Sequence, residues 1–480
     1  MKRPDINSRD GRTRLGAAAG YGTLLFFVSG YLLSFRPFQG RWPEYLFLTV
    51  AAAGAAYLAV SSLSRRKRSP VAAWLAFAIL LVFGYAKFYW LVLDPAPVKP
   101  FFPEWWSWRH FEIPATLLDA FLMQTLGFSG FCLAVFFYGQ GDEGSGESPR
   151  ASSRLPVSAP WRYFAGLAGL LMVSVFLIYR FKIGLMGTVS APLPFHLAGA
   201  IFFLHTMLLP ILIVCFICFS EASRKYLWAR AGMGLLLFWA VADVILRSSR
   251  ASLMLVPLLL LFLAVSGGIR IRKLEAAAGG SIALLAIVLS PLIWSYRVLR
   301  LSGYDPFPAL KSALFAFSPG IGDFLKAFSF IFFRIPGIEI SVIVSGFKVK
   351  ALGSAAFPVL FSEKGYSWYL GHFAFGLPFD APNGFATPFI AQWYMAWGYP
   401  GIFLAGVAAG VSAVFIWDRL AAASSPVVPI VRTFFLLLMF WALTEGVSPT
   451  LFKQLFVCAI VFLLLELFAL NLSRRTETGP

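Results

Sequence analysis

Apolar runs of about 20 residues recur along the chain, divided by short basic or Gly/Pro-punctuated connections, and predict about twelve membrane-spanning helices. The runs lie at about 16–35, 44–63, 72–93, 115–138, 161–180, 196–219, 228–246, 251–267, 276–295, 389–416, 428–446 and 451–470. Gly16–Phe35 has full span length and no small-residue cleavage site, so it reads as a first span and signal anchor. Gln140–Pro160, rich in Gly, Ser and Pro, predicts a flexible linker between the fourth and fifth spans.

Between the ninth and tenth spans the pattern changes. The segment 296–388 is Phe-rich, but its runs Ala309–Phe317 and Phe324–Phe333 are too short or interrupted to span. They predict helices lying in the membrane interface, punctuated at Pro319-Gly320 and Pro336-Gly337. The expected organisation is therefore 1–295 (nine spans, with the 140–160 linker), a large outer loop 296–388, and 389–480 (three spans and a tail). A second count, with Phe324–Phe347 as an added span, places Arg334 at membrane depth and breaks the charge pattern that follows.

Charge supplies the orientation. Every even-numbered connection is basic: Arg65-Arg66-Lys67-Arg68, then Arg150, Arg154 and Arg162, then Arg224, Lys225 and Arg230, then Arg270, Arg272 and Lys273, then Arg419 and Arg432. The termini are basic too, with Lys2, Arg3, Arg9, Arg12 and Arg14 at one end and Arg474 and Arg475 at the other. The positive-inside rule then puts both termini in the cytoplasm and segment 296–388 outside.

Composition agrees: 59% hydrophobic, 17% aromatic and 13% charged residues exclude a soluble domain. The net charge of +18 reads as topology-setting loops plus a basic outer face, and not as a nucleic-acid surface. Cys132, Cys215, Cys218 and Cys458 all fall in apolar spans; the Cys215-x-x-Cys218 pair has no second pair near it, so neither disulfide nor metal is expected. The chain has no Walker loop, dinucleotide fingerprint, nucleophile elbow or outer D-x-D pair. His196 and His205 share the sixth span with no carboxylate at ligand spacing.

The candidate chemistry lies in outward arginines, where basic residues are normally depleted. Arg247 and Arg250 flank the turn between the seventh and eighth spans, and Arg297 and Arg300 end the ninth. Each pair has i, i+3 spacing. With Arg334 they form a set whose planar forks suit a diphosphate. The bland alternative is snorkelling to lipid headgroups or pairing with carboxylates: Asp243 for Arg247, Glu339 for Arg334. His372 and Glu339 are the candidate acid–base residues on the outer side, with packing and counter-ion roles as their alternatives. Asp380 sits in a turn-like Phe379-Asp380-Ala381-Pro382-Asn383-Gly384.

The stretch Thr387-Pro388-Phe389-Ile390-Ala391-Gln392-Trp393-Tyr394-Met395-Ala396-Trp397-Gly398-Tyr399-Pro400-Gly401 resembles a segment of bacterial O-antigen and exopolysaccharide repeat-unit polymerases (Wzy-type). Thr387-Pro388, Tyr394 and Gly398-x-x-Gly401 match their pattern, while Gln392 stands where those proteins carry an acid. Arg247-Ser248-Ser249-Arg250 resembles their short arginine motif between two spans, and Phe333-Arg334-Ile335-Pro336-Gly337 resembles a segment of their large periplasmic loop. The resemblance implies an all-α polytopic inner-membrane protein, GT-C-like in broad architecture. It implies a metal- and cofactor-independent glycosyltransferase that polymerises undecaprenyl-diphosphate-linked oligosaccharide repeats at the periplasmic face. Its partners are that lipid-linked oligosaccharide and membrane lipids, with room for a chain-length regulator. Trp393 and Tyr394 are then the expected sugar-contacting rings, against an interfacial aromatic belt. An O-antigen ligase shares this layout, donor and arginine set. A lipid-linked glycan transporter or flippase is the alternative of another class.

Overall fold

The computed structural model describes residues 20–22, 25, 42–64, 113–138, 159–185, 193–248, 250–270, 272–317, 320, 338–346, 353, 358–359, 365–375, 387–423, 425, 427–444, 446 and 449–477. Their regular structure is helical throughout, with no strand among the described residues. Five helices are long and apolar enough to cross a membrane: Thr116–Tyr138, Pro160–Phe181, Leu197–Ala222, Tyr226–Arg247 and Phe389–Leu420. Apolar helices of this length satisfy their backbone internally, as a bilayer requires. The expected spans at about 16–35 and 72–93 lie largely or wholly outside the described residues.

The chain divides into two compact units. Unit 1 comprises Met1–Ser148, Phe332–Ala422 and Leu436–Ala459; unit 2 comprises Pro149–Ile331, Ala423–Phe435 and Ile460–Pro480. The first boundary falls inside the expected 140–160 linker. The segment 296–388 is divided between them, 296–331 with unit 2 and 332–388 with unit 1.

Unit 1 contains α1 (Trp42–Ser64), α2 (Ile113–Tyr138), α10 (Ile338–Gly346), α11 (Gly365–Phe375) and α12 (Phe389–Ala422). α1 turns Tyr45, Leu48, Ala52, Ala55 and Ala59 into the core, a stripe at helical spacing, and Tyr45 packs on Phe121 of α2. α2 and α12 meet through glycines. A Cβ on Gly406 would strike the Gly127 carbonyl, one on Gly130 the Phe403 carbonyl, and one on Gly410 the Phe131 carbonyl. Small residues at such a seam let two helix backbones touch, which is how helices associate where lipid removes the hydrophobic drive. α10 packs on α2, where Ser345 donates to Asp119 at 3.4 Å.

Unit 2 contains α3 (Pro160–Phe181), α4 (Leu197–Ala222), α5 (Tyr226–Arg247), α6 (Arg250–Val265), α7 (Lys273–Val288), α8 (Ser290–Leu301) and α9 (Pro306–Phe315). α5 is central, packing on α3, α4, α6 and α9. α4 carries a π-helical turn at Leu204–Leu208, just before Pro210, which has no N–H to continue the ladder. The expected ninth span, about 276–295, is two helices meeting at Leu289. Pro291 explains the new start, since proline is tolerated in a first turn and not in an interior. α9 overlaps the short helix expected near Ala309–Phe317: Ala309 and Ala313 cluster with Tyr296 of α8, while Phe307 and Phe315 are exposed. Phe324–Phe333 lies outside the described residues.

The helices α13 (Val428–Thr444) and α14 (Pro449–Glu477) cover the last two expected spans.

Candidate functional site

In unit 2 the arginine turn grows from the end of α5. Asp243, Arg247 and Ser248 close this helix, and Ser248 adopts a left-handed backbone (φ 54°, ψ 31°) as its N–H bonds the Val244 carbonyl at 2.8 Å. A non-glycine residue held there costs about 1 kcal/mol or more and persists only where its surroundings impose it. Two residues later α6 begins at Arg250.

Asp243 is fully buried, and its carboxylate is held by polar side chains. Its Oδ1 accepts from Arg247 Nη1 at 3.0 Å and its Oδ2 accepts from the Ser252 hydroxyl. The Nε2 atom of His205, also fully buried, lies 3.6 Å from Oδ1. Ser174 on α3 donates its proton to the Leu171 carbonyl at 2.8 Å, so at 2.9 Å its oxygen accepts from His205 Nδ1. Trp239 Nε1 donates to the His205 carbonyl at 2.8 Å. One carboxylate thus gathers side chains from α4, α5 and α6, with α3 behind the imidazole. Arg247 stays 25% exposed and its guanidinium lies 4.7 Å from the centroid of the Phe202 ring, a cation–π contact that fixes its other face.

α8 reaches the same end of α5. The Tyr296 hydroxyl donates to the Ile245 carbonyl, one turn before Arg300 on the same helix. Arg300, expected with Arg297 on the outer face, is fully buried, while Arg297 is half-buried. The i, i+3 pair is turned so that Tyr296 and Arg300 point inward toward α9 and the end of α5. Arg300 Nη1 donates to the Tyr304 carbonyl beyond the helix end. Its Nε and Nη2 are buried with no hydrogen-bond partner among the described residues.

At the other end of α5, Arg230 binds Glu221 at 2.6 Å, and Glu221 accepts from the Arg270 N–H at 3.4 Å. These join the turns that follow α4 and α6, a structural use of residues expected only to set topology.

In unit 1 the stretch beginning at Thr387 opens α12. Gln392 is buried, and Gly446 (φ 82°) lies so close to the Thr387 carbonyl and the Gln392 side chain that no Cβ fits. Trp393 and Trp397, one turn apart, stack at 5.1 Å with an interplanar angle of 30°. The backbone then kinks at Trp397 and Gly398, where a φ of 66° needs glycine, ahead of Pro400. Tyr394, expected to contact sugar, is in the core, edge-on to Tyr399 at 5.3 Å. Trp397 is the ring of this segment that reaches the surface, at 37% exposure.

His372 on α11 is half-buried and stacks on Trp368 at 5.6 Å. Burial pushes the Tyr366 phenol, on the same helix, up to about 12. Glu339 lies in the first turn of α10, and Arg250 starts α6; the side chains of both lie outside the described residues, as do Arg334 and Asp380 entirely. Sequence reasoning missed the His205–Asp243 approach, because their partnership exists only once α4 packs on α5. Set against protein-family models, curated proteins and solved structures, the chain matches none of them.

Proposed function

We propose that this protein is a membrane glycosyltransferase that polymerises undecaprenyl-diphosphate-linked oligosaccharide repeats at the outer face of the bacterial inner membrane. One observation carries the reading: the hydrogen bond from Tyr296 to the Ile245 carbonyl brings the α8 arginines to the turn holding Arg247 and Arg250, although about fifty residues separate them. Arginines carried to one helix end, ahead of a helix start, suit an anion of more than one charge. The orientation given by the basic connections puts this end of α5 outside, where a flipped lipid-linked glycan is exposed.

The chemistry asked of the site is modest. An acceptor sugar hydroxyl attacks the anomeric carbon of the growing chain, the bond from that carbon to the diphosphate oxygen breaks, and the hydroxyl proton passes to a base. Undecaprenyl diphosphate leaves as an anion. Arginines positioned in advance lower the barrier by offsetting that charge as it develops.

The test is the glycan profile of a deletion strain complemented with wild type or Arg250→Ala, with expression checked in both. Single repeats in the deletion, and a ladder restored by wild type and not by Arg250→Ala, support the polymerase and its arginine turn together. Long unligated glycan on its carrier in the deletion replaces the reading with a ligase. An unaltered glycan rejects glycosyl transfer and leaves transport.

A further inference from the structure

We infer that His205 and Asp243 form a buried proton-binding site, in which the imidazole carries a proton on each ring nitrogen and so sets the charge of the arginine turn. The accounting starts at Ser174. Its one hydroxyl proton goes to the Leu171 carbonyl, so toward His205 its oxygen accepts, and Nδ1 carries a proton. In a neutral ring Nε2 would then be a bare lone pair. That atom is buried without a hydrogen-bond partner among the described residues, and it stands 3.6 Å from Asp243 Oδ1. Both carboxylate oxygens already accept, Oδ1 from Arg247 and Oδ2 from Ser252. A neutral ring would therefore press a lone pair against an anion, at a separation too small for a water between them. A second ring proton turns that conflict into an ion pair.

The backbone holds the ring at that spot. His205 lies in the π-helical turn Leu204–Leu208, where the Leu209 N–H reaches back to the Leu204 carbonyl. The same pattern would pair the His205 carbonyl with Pro210, which has no N–H. The Trp239 indole takes that carbonyl, at 2.8 Å. Single π-turns of this kind gather at functional sites. An ionisable pair with both side chains at 0% exposure, between two apolar helices, is itself costly and is kept for function.

Arg247 Nη1, at 3.0 Å, and His205 Nε2, at 3.6 Å, approach the same oxygen. Asp243 supplies one negative charge, and Arg247 and the protonated ring supply one positive charge each, so the cluster is net positive and becomes neutral when the ring loses its proton. With the ring neutral, Arg247 has that oxygen to itself. The proton thus decides how tightly the carboxylate holds Arg247, the member of the cluster that meets the surface. Among the described residues, the charged groups facing the ring are Asp243 and, through it, Arg247, both on α5. α3 offers Ser174 and the Leu171 carbonyl, and α6 offers Ser252. α4 itself carries no charged side chain between His205 and Glu221. The proton site stands apart from glycosyl transfer and needs no substrate.

The experiment is NMR on the purified full-length protein in detergent, isotopically labelled at the histidine ring and arginine side-chain nitrogens. The chain has 4 histidines, and the signal lost in His205→Gln assigns this one. At neutral pH the wild-type His205 ring is expected to show N–H signals from both nitrogens. Asp243→Asn is expected to leave only the Nδ1 signal, because the counter-charge is gone and Ser174 still accepts from Nδ1. As the pH rises, the Arg247 Nε signal, assigned by its loss in Arg247→Lys, is expected to shift in the same step that removes the second ring proton. In His205→Gln it is expected to stand still over that range. A wild-type ring protonated on one nitrogen alone at neutral pH overturns the proposal, whether or not the Asp243 variant folds. So does a doubly protonated ring that survives Asp243→Asn. An Arg247 signal indifferent to the ring proton takes away control of the arginine turn, and the proposal goes with it.

Discussion

Asp243 and Arg247 stand one turn apart on α5 and bind at 3.0 Å, but their surroundings differ sharply: the carboxylate is fully buried, while the guanidinium keeps 25% of its surface. The pair is therefore anchored from below, by Ser252 and His205, and open above. Arginine is delivered to the surface with its direction fixed by a group that itself cannot move.

Removing the anchor should cost more than removing the arginine. Asp243→Ala leaves the Ser252 hydroxyl and the His205 ring facing a void and should destabilise by on the order of 3 kcal/mol. Asp243→Asn preserves the shape and an acceptor and should cost clearly less. Unfolding in mild detergent with added SDS reads both. Equal stability of Asp243→Ala and wild type would show that the cluster is not structural.

The glycine seam between α2 and α12 makes a sharper stability prediction. At Gly406 any side chain meets backbone, and backbone cannot rotate away. Gly406→Ala should therefore force the helices apart and cost about 2 kcal/mol or more. Gly166 on α3 has nothing within 4 Å of where a Cβ would go, so Gly166→Ala should be neutral or gain up to about 1 kcal/mol of helix propensity. Size-exclusion profiles after stepwise heating separate the two, and similar losses at both sites would remove the seam from the account.

Much of this architecture is legible along the chain because a long apolar helix is written locally. Pro160–Phe181 and Tyr226–Arg247 match their runs to within a few residues, since nothing distant is needed to define them. The pair Asp243–Arg247 is legible for the same reason, being i, i+4. Three things were not. The break at Leu289 turns on Pro291, whose effect an apolar count ignores. Arg300 reads as an outer-face arginine from its charge, and its burial appears only once α8 packs on α9. His205 reads as partnerless because its carboxylate lies on the next helix, and spacing rules see one helix at a time.

Orientation has a direct check. The native cysteines Cys132, Cys215, Cys218 and Cys458 are all buried, so they should stay silent to a membrane-impermeant maleimide in intact cells. Ser302→Cys, in the exposed turn after α8, should label from outside. Ala423→Cys, exposed after α12, should label only after permeabilisation. The reverse pattern would invert the assignment from the positive-inside rule and move the arginine turn to the cytoplasm.

On the glycosyl-transfer reading, Trp397 is the ring placed to meet sugar. It stacks on Trp393, which meets Phe389 edge to face, and its kinked backbone lifts it to the surface while Tyr394 stays in the core. A sugar's C–H face packs on an aromatic ring with an energy on the order of 1 kcal/mol beyond area burial, close to a tenfold effect on binding. Trp397→Ala should therefore raise KM for the acceptor repeat about tenfold with kcat near wild type, because the ring binds and takes no part in bond making. Trp397→Phe should recover most of the loss, since a face remains. Trp393→Ala should behave differently, lowering the melting temperature because it removes the support of the stack. Measured on purified protein with a lipid-linked repeat, a Trp397→Ala that lowers kcat and leaves KM unchanged would move this residue out of acceptor binding and into the alignment of α12.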